Sequence, residues 1–122
     1  MQNAINWFEI PVNDMTRAVG FYENMLDVKL QPETMDGIDM AIFPYSEKTV
    51  SGSLVKADFI QPSDQGSLVY LNVEGFMDQA IQRAEANGSK VLFPKTSIGE
   101  HGFIAHISDS EGNRIALHSM SA

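Results

Sequence analysis

From Ile5 to Val12 the chain alternates in polarity and is rich in aromatic and β-branched residues, a pattern that predicts a strand. Asp14 follows as an N-cap, and Ala18, Phe21, Tyr22, Met25 and Leu26 recur at helical spacing, so "DMTRAVGFYENML" reads as a helix with one apolar face. Three strand-like runs come next, "VKLQ", "IDMAIFPY" and "GSLVKADF", separated by turn formers such as Asp36-Gly37 and Ser51-Gly52. The order is βαβββ. The second half repeats it: "SLVYLNV" as a strand, "FMDQAIQRAEAN" as a helix stopped by Gly88, then "KVLFP", "GFIAHIS" and "RIALHS" as strands.

Sliding one half on the other by about 62 residues superposes Ala18 on Ala80 and Val19 on Ile81. The expected fold class is therefore α+β, with one βαβββ module over about residues 1–61 and a second over about 67–122. A unit of this size offers one apolar sheet face and one helix, too little for comfortable independent stability, so the copies should pack on each other. The link "PSDQGS" is short, which predicts a single pseudosymmetric domain.

Composition narrows the chemistry. The chain has 122 residues, 43% apolar and 20% charged, as expected of a soluble globular domain. Cysteine is absent, which excludes disulfides, thiolate metal sites and cysteine nucleophiles. The opening "MQNAINWFEI" lacks the basic and long apolar segments of a secretory signal, and no stretch approaches a membrane span, so a cytoplasmic protein without membrane contact is expected. Acidic residues outnumber basic ones 16 to 8, for a net charge of -8, and the basic residues are scattered, which argues against nucleic acid as a partner.

The segments "WFEIPVNDMTRAVGFYENML", "EANGSKVLFPK" and "DSEGNRIALHS", in this order and with the duplicated βαβββ unit, resemble the vicinal oxygen chelate superfamily. That group includes glyoxalase I, extradiol dioxygenases, fosfomycin-resistance proteins and bleomycin-binding proteins. The resemblance implies sheets curled around a cavity that often holds a divalent metal, and a homodimer. It also implies metal ligands on the first and last strands of each module. A His seven residues before the helix-opening Asp is typical, which places the first slot at Trp7 and, by the repeat offset, its counterpart at Val69. The Glu that follows a "GNxI" turn falls at Ala116, with a first-module counterpart near Leu54 or Val55. None of these side chains is a metal ligand.

Polar groups elsewhere define the candidate site. With "DSEGN" as a hairpin turn and Ile107, Ile115 and Leu117 on the core side, His106 and His118 share the opposite face with Ala116. Glu9 shares the side of Trp7. Trp7, Glu9, His106 and His118 are thus the candidate cavity residues, and Trp7 either fills the vacated slot as core or forms an aromatic wall. The expected function is glyoxalase-like binding of a small molecule, by a homodimer, without the usual metal ligands and with no cofactor. The alternative is a metal-dependent lyase, isomerase or dioxygenase in which Glu9, His106 and His118 form a relocated site for Fe, Mn, Ni or Zn. His101, beside Gly102, reads as a loop residue, and Asp109, Gly112 and Asn113 suit a turn.

Overall fold

In the computed structural model, which describes residues 3–122, Asp14 starts the first helix as the spacing implies: its carboxylate accepts the N–H of Arg17 at 3.0 Å. The first two residues of the opening stretch lie outside the described part. The first module runs β1 (Trp7–Pro11), α1 (Met15–Leu26), β2 (Gln31–Met35), β3 (Ile38–Ile42) and β4 (Ser51–Lys56). The second runs β5 (Tyr70–Asn72), α2 (Met77–Ala86), β6 (Val91–Ser97), a 3-10 turn (Gly99–His101), β7 (Phe103–Ser108) and β8 (Arg114–Ser119). No helix among the described residues is long and apolar enough to cross a membrane.

One strand differs from the expected pattern. Asp36 and Gly37 both have positive φ, 53° and 78°, and form a two-residue hairpin turn that pairs Met35 with Ile38. This turn draws β2 from the apolar run "VKLQ" to the fully exposed "QPETM". Leu30 instead leaves the end of α1 for the core, with its N–H held by the Glu23 carboxylate at 2.8 Å. Pro32 is tolerated because β2 is an edge strand and needs no donor on its outer side.

The two sheets have the same topology, β1-β4-β3-β2 and β5-β8-β7-β6, with β1 parallel to β4 and β5 parallel to β8. A first strand is therefore an edge strand in each sheet. The helices pack on one another, and buried residues of both modules, including Ile10, Tyr22, Leu54, Leu71, Ile107 and Leu117, form one continuous core. Phe21 and Tyr22 are core anchors, as are Met25 and Met77, whereas Met35 is exposed.

Within the first sheet, Phe8 lies across Gly52, its partner in the parallel β1–β4 pair. A Cβ at position 52 would stand 2.4 Å from the Phe8 carbonyl oxygen and 2.5 Å from its ring. Because the backbone oxygen cannot swing aside, Gly52→Ala is expected to destabilise the fold by about 2 to 3 kcal/mol in urea denaturation. A loss under ~0.5 kcal/mol would show that β1 and β4 separate freely.

The β7–β8 turn does more than reverse the chain. Gly112, at φ 89°, closes it, and Asp109 accepts the N–H groups of Glu111 and Asn113 at 2.8 Å each. The other Asp109 oxygen accepts from the buried Tyr22 hydroxyl at 2.6 Å. Burial, then the Asp109 charge, raises the Tyr22 pKa well above the ordinary phenol value and keeps that donor protonated. Asn113 reaches across to the Pro11 carbonyl at 2.8 Å, and its own carbonyl takes the N–H of Ser63 from the inter-module link at 3.0 Å. Glu111 accepts from the N–H groups of Asn13 and Asp14, both at 2.8 Å, and from Arg17 Nε at 2.7 Å and Nη2 at 3.0 Å. This single turn of the second module thus holds the β1–α1 junction of the first.

Candidate functional site

The period-two alternation of β7 and β8 sets their two faces. His106 pairs with Ala116 and Ile107 with Ile115, so Ala105, Ile107, Ile115 and Leu117 pack toward the helices while His106, Ala116 and His118 face away from them. This is the register expected from the sequence. On β1, Ile10 and Phe8 turn inward, leaving Trp7 and Glu9 on the face away from α1.

The positions at which the resemblance implies ligands shift with a change of offset within the repeat. Ile10 pairs with Leu54 and Leu71 with Leu117, all four buried, and the N–H groups of Val12 and Val73 donate to the Val55 and His118 carbonyls at 2.9 Å each. The first strands therefore correspond with an offset of 61, from Ile10 to Leu71, whereas the helices, starting at Met15 and Met77, keep 62. A one-residue slip reverses the faces. Val69 accordingly packs against the core, as Phe8 does, and the counterpart of Trp7 is Leu68 rather than Val69. In the terminal strands Leu54 matches Leu117 and Val55 matches His118, so the counterpart of Ala116 is Ser53 rather than Leu54 or Val55.

The four slots thus carry an indole, a hydroxyl and two alkyl groups. Ser53 is fully buried, and its Oγ is the one buried side-chain polar atom without a hydrogen-bond partner among the described residues. One orphan hydroxyl does not make a site for a divalent cation, which needs carboxylates or imidazoles. Nor are the relocated ligands gathered: among the described residues no three His, Cys, Asp or Glu side chains are grouped to hold a metal. His118 Nε2 lies 2.7 Å from the carbonyl of His101, whose side chain is exposed in the 3-10 turn. Glu9 lies on the first sheet, not the sheet of the two histidines, and pairs there in register with Ser53.

The second sheet assembles a different group, which sequence reading missed. Arg114 donates from Nε to His106 Nδ1 at 3.1 Å, and His106 Nε2 lies 3.4 Å from the Tyr70 hydroxyl. Phe93 and Tyr70 flank the imidazole, with ring centroids 5.2 and 6.0 Å away. Burial, then the Arg114 charge, lowers the His106 pKa below its ordinary value, which favours the neutral ring. The only signal in the sequence was position: Arg114 is two residues before Ala116 and so shares its face.

Between the two first strands lies an open groove of about 780 Å³, lined by Ile5, Trp7, Glu9, Val50, Leu68 and Tyr70 among others. Trp7 is 42% exposed here, so it is a groove wall and not core filling. Glu9 also borders a smaller cavity of about 240 Å³, which it shares with Ser63, Gln65, Ser67 and Arg114.

Comparison with known proteins places this geometry. Residues 4–117 match the family model of the Glyoxalase/Bleomycin resistance protein/Dioxygenase superfamily. No curated protein sequence matches the chain. Among solved structures, a glyoxalase/bleomycin resistance protein from Albidiferax ferrireducens T118 is 16% identical, with a TM-score of 0.73 over 96% of this chain and 98% of that one. A glyoxalase/bleomycin resistance protein/dioxygenase family enzyme from Burkholderia phytofirmans PsJN is 15% identical, with a TM-score of 0.68 over 94% and 97%. A glyoxalase I mutant from Zea mays is 19% identical with a TM-score of 0.70, covering 93% of this chain and 45% of the maize protein, so the chain spans under half of that relative. At these identities the structures share the fold alone. The family match, the twice-repeated βαβββ module and the edge-strand groove together make the chain a member of the glyoxalase/bleomycin resistance protein/dioxygenase superfamily.

Proposed function

We propose that the protein binds a small molecule in the manner of the bleomycin-binding branch of its superfamily, without a chelated metal, and acts in the cytoplasm as a homodimer. What supports this reading is that the four positions where the resemblance implies metal ligands carry Trp7, Ser53, Leu68 and Ala116, beside an open and largely apolar groove. Its volume is in the range of small-molecule sites. Trp7 and Glu9 contribute one wall, and His106 and His118 lie on the corresponding face of the second sheet. Ile5, Trp7, Val50 and Tyr70 are all more than 40% exposed along one groove, an apolar rim that a second copy would close over the bound molecule. The metal-dependent alternative requires His106 to exchange its bond from Arg114 for a cation, and Glu9 to join it from the other sheet.

Native mass spectrometry of the purified protein, with metal analysis of the same sample, tests the proposal. A co-purifying organic compound on a dimer, with no stoichiometric metal, is the expected result. Trp7, the single tryptophan, should change its emission when the groove fills. Stoichiometric Mn, Fe, Ni or Zn should leave the melting temperature within about 1 °C, since only binding to the native state raises it. A clear rise that His106→Ala abolishes would establish the metal-dependent enzyme instead.

A further inference from the structure

We propose, building on the small-molecule reading above, that Arg114, His106 and Tyr70 form a subsite for a single carboxylate or similar oxyanion of the ligand. Arg114 opens β8 opposite Ser108, with its side chain on the face of Ala116 and His118. In a chain with 16 acidic and 8 basic residues, it makes no ion pair among the described residues. Its Nε is held by His106, and its Nη atoms make no hydrogen bond among the described residues. An arginine fixed at Nε but not neutralised presents a charged fork whose geometry matches a carboxylate.

The neighbours complete the donor set. Guanidinium nitrogen only donates, so His106 Nδ1 must accept, and a neutral imidazole then carries its proton on Nε2. That proton points at the Tyr70 oxygen, 3.4 Å away, which leaves the phenolic hydrogen free to be donated outward. Flanked by Phe93 and Tyr70, the imidazole keeps this orientation. Ala116 pairs with both Tyr70 and His106, which sets these two residues on either side of the position where the resemblance expects a glutamate.

Charge and shape limit the ligand further. Glu9 shares the 240 Å³ cavity with Arg114 without pairing to it, so a second negative charge on the ligand would be repelled. Trp7 and Tyr70 line the adjoining groove and suit an aromatic or alkyl body. The class is an apolar monocarboxylate.

Binding of benzoate, phenylacetate, benzamide and phthalate, followed by Trp7 emission and by the NMR signal of Arg114 Nε–H, decides the matter. The carboxylates should bind at least about tenfold more tightly than benzamide, the gain expected of charge-assisted hydrogen bonds. Arg114→Gln should bring them to parity while the melting curve shows the fold intact, Arg114→Lys should restore only part of the preference, and Tyr70→Phe should weaken carboxylates a few-fold. Phthalate should bind less well than benzoate, and Glu9→Gln should remove that difference. Equal affinity for benzoate and benzamide, or a preference that survives Arg114→Gln, overturns the subsite and leaves the small-molecule reading standing. No response to any of the four compounds also overturns it, while the co-purified compound and metal content decide the broader reading separately.

Discussion

Replacement of Asp109 by alanine is expected to destabilise the protein by about 4 kcal/mol, a large part of the ~5 to 15 kcal/mol that holds a domain of this size together. Four donors converge on this one carboxylate: the N–H groups of Glu111 and Asn113, the Asn113 side-chain amide and the Tyr22 hydroxyl. Tyr22 is fully buried on α1, so its hydroxyl finds no water when the acceptor is removed. Each buried donor left unsatisfied costs about 1 to 3 kcal/mol, though the turn amides regain part of this by hydration. Urea denaturation measures the loss, and melting should fall by roughly 12 to 20 °C. Asp109→Asn should cost distinctly less, because one oxygen still accepts both backbone N–H groups. Tyr22→Phe should add little to the alanine variant, since its partner is already gone. A loss under ~1 kcal/mol for Asp109→Ala would mean that the turn relaxes without the α1 contact.

Glu111→Gln should lower stability at pH 7 by roughly 2 kcal/mol and flatten the acid limb of the stability curve. Burial works to raise the Glu111 pKa, but the Arg17 guanidinium, the N–H groups of Asp14 and Asn13 and the Ser110 hydroxyl together outweigh it and hold the group at about 2, against 4.5 ordinarily. A shift of this size is worth ~3 kcal/mol in a shielded site; Arg17 is 55% exposed, and solvent screening reduces the contribution to roughly 2 kcal/mol. Between the two values the unfolded chain binds the proton that the native carboxylate refuses. The stabilisation is therefore complete above pH 4.5 and disappears as the pH falls toward 2. Urea midpoints at pH 7, 4.5, 3 and 2.5 should fall for the wild type across this window, with a smaller decline in the glutamine variant. Parallel curves for the two proteins would remove Glu111 from the linkage.

Much of the fold was legible because local rules and packing agree. The apolar spacing of Ala18, Phe21, Tyr22 and Met25 and the N-cap at Asp14 define α1, and the alternation around Ile107, Ile115 and Leu117 places both histidines on the face away from the helices. The β2 strand was misplaced because Val28 and Leu30 look like strand residues, while the Asp36-Gly37 turn, with two positive φ angles, selects the more polar segment beside it. The slots expected at Val69 and at Leu54 or Val55 fall instead at Leu68 and Ser53, because the offset between the modules differs between strands and helices.

The sequence by itself determined the duplicated βαβββ order, the two apolar helix faces and the β7–β8 register, since each depends on residue type and short-range periodicity. Tertiary structure alone decided that β1 pairs in parallel with β4, that Ser53 and Leu68 complete the set of slots, and that Glu111 reaches Arg17 across 94 residues. It alone joined Arg114 to His106 and Tyr70, and set Glu9 and His118 on different sheets. Parallel pairing and side-chain contacts between distant segments leave no periodic trace in the chain, because they are fixed by how whole modules pack and not by the neighbours of any one residue.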